Sequence, residues 1–178
     1  HSIQTNLTCF REEFVDIFRA LGITAVGTSY DPEPHMRGPG EERDSDAYNE
    51  KFMRALGILG RHGFGWGMIY VVTKKSLVRP LEVFFFLTNL KLTGGINFNP
   101  VLIYDSGRRD VAVTPEEYAE FLGAIFPHWW KHRHRYPDVQ PFKSLVENIL
   151  EGKRQHSCME FGACDSSVDR IVVFPGGD

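Results

Sequence analysis

Apolar and polar positions along the chain fall into alternating strand-like and helix-like stretches. Residues 2–5 read as a short strand ending in polar residues, and Phe10, Phe14, Ile17, Phe18 and Leu21 then recur at the spacing of one helix face. Thr8 is placed to cap that helix and Gly22 to stop it. Residues 23–29 predict a second strand. After a polar loop rich in Pro and Gly, Tyr48, Phe52, Ala55, Leu56 and Leu59 mark a second amphipathic helix that ends near Gly63. Residues 68–72 (Met-Ile-Tyr-Val-Val) are almost continuously apolar, the pattern of a parallel strand covered by helices on both faces, and residues 80–90 supply the next helix, opened by Pro80. Gly94 and Gly95 lead into a strand over 96–99.

Three successive strand–helix units predict right-handed crossovers and a parallel sheet, open or part of a barrel. In either arrangement ligands gather at the carboxyl ends of the strands. The residues there are Gln4, Thr5 and Asn6, then Ser29 and Asp31, then Thr73, then Asn97 and Asn99. Singly, each is explained as a turn former at a strand end. Together they suggest a polar ligand lying across the top of the sheet.

Beyond residue 99 the pattern changes. Residues 105–113 form a polar loop, and Thr114-Pro115-Glu116-Glu117 is a strong helix start, with Thr as cap, Pro in the first turn and Glu three residues after the cap. Tyr118, Phe121, Leu122, Ile125 and Trp129 share a face of that helix, which Pro127 is placed to kink or end. The stretch from His128 to Arg135, with His132 and His134, has the composition of a metal or RNA site. Cationic side chains favouring the negative end of a helix, with the Trp residues packed inward, explain it better. Residues 142–150 form a last short helix closed by Gly152.

Composition narrows the function classes. A chain of 178 residues that is 42% hydrophobic has room for a real core, and a formal charge of −3 argues against a nucleic-acid partner. No apolar run approaches the roughly 20 residues of a membrane span. Three cysteines do not form a disulfide framework, which favours a reducing, cytoplasmic setting, and no charged-then-apolar leader is visible. Dinucleotide, Walker, HExxH and GxSxG signatures are absent from the sequence. The acidic run Glu41-Glu42-Arg43-Asp44 and the pair Glu116-Glu117 are conceivable general acids, but exposed loop charges and first-turn carboxylates explain them better.

The last residues carry the sharpest chemistry. Cys158 and Cys164 in SCMEFGAC precede a strand-like run over 170–174 and the turn Pro175-Gly176-Gly177. Paired thiols before a strand and turn suit an iron–sulfur cluster or zinc, and since such a site takes four ligands the chain is expected to hold only part of it, as a segment of a larger protein. Ordinary buried thiols in a non-catalytic, peptide-binding α/β module are the competing explanation, and a zinc-binding fragment is a third.

The run Ile3-Gln4-Thr5-Asn6, the stretch from Val26 to Pro32 followed by His35, the strand Val71-Val72-Thr73 and the tail from Leu150 to Cys158 and Cys164 resemble, in order and spacing, radical S-adenosylmethionine enzymes with a SPASM domain. Within that superfamily the likeness is to anaerobic sulfatase-maturing enzymes and maturases of ribosomally made peptides. The resemblance implies an α/β fold: a partial (β/α) barrel fragment with parallel strands over 1–152, then the start of a cysteine-ligated SPASM-type domain over 153–178. It implies S-adenosylmethionine and [4Fe-4S] clusters as cofactors. Peptide or protein side chains would be modified by hydrogen-atom abstraction, and flavodoxin or ferredoxin would donate electrons to the parent enzyme.

By the same resemblance Gln4, Thr5 and Asn6 lie near the cofactor and target side chain, and Ser29 and Asp31 contact the methionine or ribose part of S-adenosylmethionine. Either Arg37 or Arg43 reaches its carboxylate, and Cys158 and Cys164 are the first ligands of an auxiliary cluster. The CxxxCxxC loop of the family is not in this sequence, so the isolated chain is expected to be inactive. Leu7 stands where the family has a glycine after QTN, and Tyr30-Asp31-Pro32 lacks the glycine of SxDGP, which shifts the expectation from a sulfatase-maturing enzyme to a peptide maturase.

Overall fold

The structure, a computed structural model, describes residues 3–38, 43–103 and 109–152. Two compact units divide the chain, residues 1–142 and 143–178. The first holds a parallel sheet of five strands in chain order: β1 (Ile3–Gln4), β2 (Ala25–Ser29), β3 (Gly65–Val72), β4 (Ile96–Pro100) and β5 (Val139–Gln140). Between them run α1 (Phe14–Ala20), α2 (Ser45–Arg61), α3 (Pro80–Thr88) and α4 (Pro115–His132). The helix α5 (Phe142–Glu151) begins at the last residue of the first unit, continues into the second, and is followed by Gly152, whose φ is 63°.

Glycine ends two helices in the same way. Gly22 (φ 67°) and Gly63 (φ 74°) take the left-handed conformation after α1 and α2. The next N–H in each case reaches back over the turn, Ile23 to the Phe18 carbonyl at 2.9 Å and Phe64 to Leu59 at 3.0 Å. Each closure buries an apolar residue just ahead of the following strand, and the rings of Phe18 and Phe64 meet edge to face at 6.0 Å.

The helix layer lies on one face of the sheet. Trp66, Met68, Tyr70 and Val72 alternate inward along β3, Trp66 packs on Gly60 of α2, and Phe98 of β4 meets Phe121 of α4 at 5.6 Å. The other face is half-buried and carries Gly27, Ser29, Gly67, Ile69, Val71, Asn97 and Asn99. Two-faced cover, expected for an apolar β3, is therefore not what the described residues show. The apolar run arises because Ile69 and Val71 point to the face that also carries the small polar residues. Glycines let the strands at this face approach closely: a Cβ on Gly95 would stand 2.9 Å from the Asp138 carbonyl oxygen, and one on Gly94 3.0 Å from the Cα of Gly67.

Three local expectations change. Helix α1 begins at Phe14 with no side-chain cap, because Thr8 is engaged in a tight turn with Asn6. Pro127 does not end α4, which runs on to His132. Pro127 lies on the exposed side, and the carbonyl it frees, four residues back, belongs to the exposed Gly123. Of the two Trp residues only Trp129 packs inward, while Trp130 is exposed with the Arg133 guanidinium 4.0 Å over its ring. The capping box of Thr114 and Glu117 forms as expected.

Candidate functional site

The site is built where β1 and β2 end. After β1, Thr5 continues the pairing by donating its N–H to the Gly27 carbonyl at 3.0 Å, and the chain then turns back on itself. Thr5 Oγ1 accepts from the Leu7 N–H at 3.2 Å, and Asn6 Oδ1 accepts both the N–H and the hydroxyl of Thr8, at 3.2 and 3.0 Å. Leu7 sits at φ 63°, a conformation that costs glycine nothing, and is fully buried. Burial of its side chain offsets the backbone strain, which explains how leucine stands in a glycine position.

Asp31 follows β2 and is only 6% exposed. Its Oδ2 lies 2.5 Å from Arg37 Nε and its Oδ1 accepts from the Val71 N–H at 3.2 Å, tying the loop to β3. Beneath it Tyr30 stacks on Phe52 at 4.2 Å with planes 6° apart, and donates its hydroxyl to Asn49 at 2.9 Å. Tyr48 donates to the Ser29 carbonyl at 3.3 Å and presents its ring to the Arg37 guanidinium at 5.9 Å. Burial pushes the Tyr48 hydroxyl up to about 12, so it acts as a neutral donor.

Above this floor opens a cleft of about 370 Å³. Asn6 and Thr8 form one side, Met36, Arg37, Gly38 and Arg43 the loop side, and Tyr48 and Lys51 the α2 side. Asp44, next to Arg43, caps α2 by accepting from the Ala47 N–H at 3.0 Å. Of the residues singled out in sequence, the structure brings Asn6, Arg37 and Arg43 to one cleft, with Asp31 attached through Arg37 and Ser29 through Tyr48. Gln4 is exposed on the half-buried sheet face and Thr5 supports the turn; neither lines the cleft. Cys158 and Cys164 lie outside the described residues. Among the described residues no group of three or more His, Cys, Asp or Glu side chains is placed to hold a metal ion, and no helix is long and apolar enough to cross a membrane.

Thr8, Tyr48 and Lys51 escaped the reading of the sequence. Tyr48 and Lys51 are three residues apart on α2 and so share a face, the one signal that links them. Glu33 escaped too. It accepts a hydrogen bond from the buried Tyr70 hydroxyl, and burial holds its carboxyl above the ordinary value of 4.5 although that hydrogen bond opposes the shift. A carboxyl that binds its proton more tightly in the folded state favours folding at low pH, and its contribution is lost as pH rises from 4.5 through the raised value. The melting temperature of Glu33→Gln is therefore expected to fall less steeply than wild type across that window. Parallel profiles would remove Glu33 from this role.

No family model matches the chain. It is 28% identical over 208 aligned positions to the serine-type anaerobic sulfatase-maturating enzyme of Bacteroides thetaiotaomicron, covering 97% of this chain and 48% of the relative. The cysteine-type enzyme of Clostridium perfringens is 26% identical over 170 positions, with 92% and 45% covered. An uncharacterized protein of Methanothermobacter thermautotrophicus is 31% identical over 139 positions, with 74% and 48% covered. The chain spans about half the length of the curated relatives it matches.

Among solved structures, anSMEcpe with bound AdoMet superposes with a TM-score of 0.65 at 24% identity, over 88% of this chain and 44% of that one. A structure of the same protein with AdoMet and the Kp18Cys peptide matches equally well. The fold is thus the parallel α/β fold of anSMEcpe, as the partial-barrel expectation requires. The curated relatives bear out the sequence resemblance to the anaerobic sulfatase-maturating enzymes of the radical S-adenosylmethionine superfamily.

Proposed function

We propose that the protein to which this chain contributes is a radical S-adenosylmethionine maturase that modifies a peptide or protein side chain by hydrogen-atom abstraction. The observation that carries this reading is the cleft at the β1 and β2 strand ends, walled by cations and neutral donors, in a fold shared with a protein solved with AdoMet bound. Guanidinium and ammonium groups suit the carboxylate of an amino-acid moiety, and Asn6 and Thr8 suit its polar neighbours, so the residues present fit this cofactor. When bound and reductively cleaved at an iron–sulfur cluster, S-adenosylmethionine supplies the oxidising radical.

The chain's own part is binding and orientation. Asp31, Arg37 and Tyr48 hold the β2 loop against β3, and Arg43 and Lys51 present charge to the cleft. The half-buried face with Gln4, Ser29 and Asn97 is the surface on which the cofactor's remainder and the target peptide would lie. Cys158 and Cys164 are proposed as auxiliary-cluster ligands, and flavodoxin or ferredoxin as electron donor. A bound peptide in a structure of anSMEcpe supports a peptide substrate here.

The full-length gene product, purified and reconstituted with iron and sulfide without oxygen, tests the reading. A brown protein that forms 5′-deoxyadenosine from S-adenosylmethionine under reduction is expected. A colourless protein without turnover would overturn it.

A further inference from the structure

Helix α4 changes character along its length. Glu120 is its last acid, and from residue 121 to 137 the sequence holds Lys131, Arg133, Arg135 and three His but no Asp or Glu. Attraction to the negative end of a helix accounts for Arg133, which donates from Nη1 to the Trp130 carbonyl at 2.7 Å. Lys131 and Arg135 are exposed, and among the described residues neither has such a role or a carboxylate partner. With His128 and His132 they fall at i, i+3, i+4 and i+7, on one side of α4 and the short turn that follows it. The two imidazole rings are 4.9 Å apart. Partial burial, and after it the neighbouring His128, Arg135 and Lys131, hold the His132 imidazole below its ordinary value, so like charge is crowded here. The same side of α4 meets α3. Phe85 stands edge-on to His128 with ring centroids 4.8 Å apart, and Phe85 and Leu81, one turn apart on α3, are both exposed. An apolar strip thus runs into a cationic rim, a surface complementary to a chain segment that sets acidic side chains beside an apolar anchor.

The rim lies at the far end of the sheet from the cleft. Helix α4 starts beside the carboxyl end of β3, where Lys74 pairs with Glu117 at 2.5 Å, and ends where the Asp138 carbonyl accepts from the Ile96 N–H at the start of β4. Its 18 residues span about 27 Å. We propose that this strip and rim form a second docking surface for the peptide substrate, binding a segment that carries Asp or Glu beside an apolar residue and lies on the order of ten residues from the side chain to be modified. That the peptide is a substrate rests on the proposed function; the chemistry of the bound segment follows from the surface itself.

The test uses the full-length protein and variants Lys131→Glu, Arg135→Glu and Phe85→Ser, all at exposed positions where the fold is kept. Fluorescence polarisation measures a labelled Glu-rich peptide with one Phe, its Gln counterpart, and the Glu-rich peptide with Ser in place of Phe. Wild type should prefer the Glu peptide to the Gln peptide. Each charge reversal should weaken the Glu peptide about tenfold and leave the Gln peptide within about twofold. Phe85→Ser should weaken the Phe-bearing peptides about fivefold and leave the Ser peptide unchanged. A wild type that binds Glu and Gln peptides alike, or charge-reversal variants that hold the Glu peptide as wild type does, would overturn the inference. An oligouridylate bound as tightly as the Glu peptide would overturn it too, since that marks a surface for any anion. A reconstituted protein that forms no 5′-deoxyadenosine yet keeps the Glu preference would sink the maturase reading and leave the docking surface standing.

Discussion

Asp31→Ala is expected to lower stability by about 3 kcal/mol, a fall in melting temperature of roughly 6–12 °C. Asp31 is 6% exposed and meets two groups that water does not easily replace, the Arg37 Nε at 2.5 Å and the Val71 N–H at 3.2 Å. Removing the carboxylate leaves a half-buried guanidinium without its counter-charge and a strand N–H without an acceptor. Arg37 is 28% exposed, so water recovers part of the loss, which places the cost at the low end for a broken buried pair. Asp31→Asn keeps an acceptor for Val71 and should recover part of the difference. Differential scanning calorimetry of the full-length protein measures both, and an Asp31→Ala melting temperature equal to wild type would show that the pair holds nothing together.

Phe52→Ala is expected to cost about 3–5 kcal/mol, a fall of roughly 6–20 °C. Phe52 is 0% exposed and lies parallel to Tyr30 at 4.2 Å, with Tyr48 at 6.0 Å. The cavity opens under the residue that precedes Asp31, so the loss reaches the cleft as well as the core. S-Adenosylmethionine binding should weaken in Phe52→Ala more than in Phe52→Leu, which fills most of the space. Equal affinity in the two variants, measured by equilibrium dialysis, would separate the core from the cleft.

The first four strands of the sheet were legible because their signals are local and agree with one another, whereas β5, only Val139 and Gln140, is too short to carry an apolar run and went unread. Apolar runs over the strands, Gly22 and Gly63 after the helices and the Thr114 capping box each follow from short-range sterics, and all three are observed. The start of α1 was not legible, since Thr8 has two uses and the turn with Asn6 wins over the cap. The exposed position of Pro127 depends on which way α4 faces, a tertiary fact. The cleft was partly legible: Asn6, Arg37 and Arg43 were found from strand-end position and from the family likeness. Lys51 reads as a solvated helix charge and Tyr48 as core until the β2 loop is folded over α2. Glu33 was hidden for a similar reason, because its partner Tyr70 lies in the middle of a distant strand.

Strand order that follows chain order has a kinetic consequence. Among the described residues each strand of the first unit hydrogen-bonds only to strands adjacent along the chain, and paired residues such as Gly27 and Gly67 are separated by one intervening helix. No strand must wait for a remote part of the polypeptide, so loop-closure entropy is met in small instalments and assembly can zip outward from the long central β3. Nucleation there would order Tyr70 and the Val71 amide first, giving Glu33 and Asp31 their anchors before either outer edge is in place.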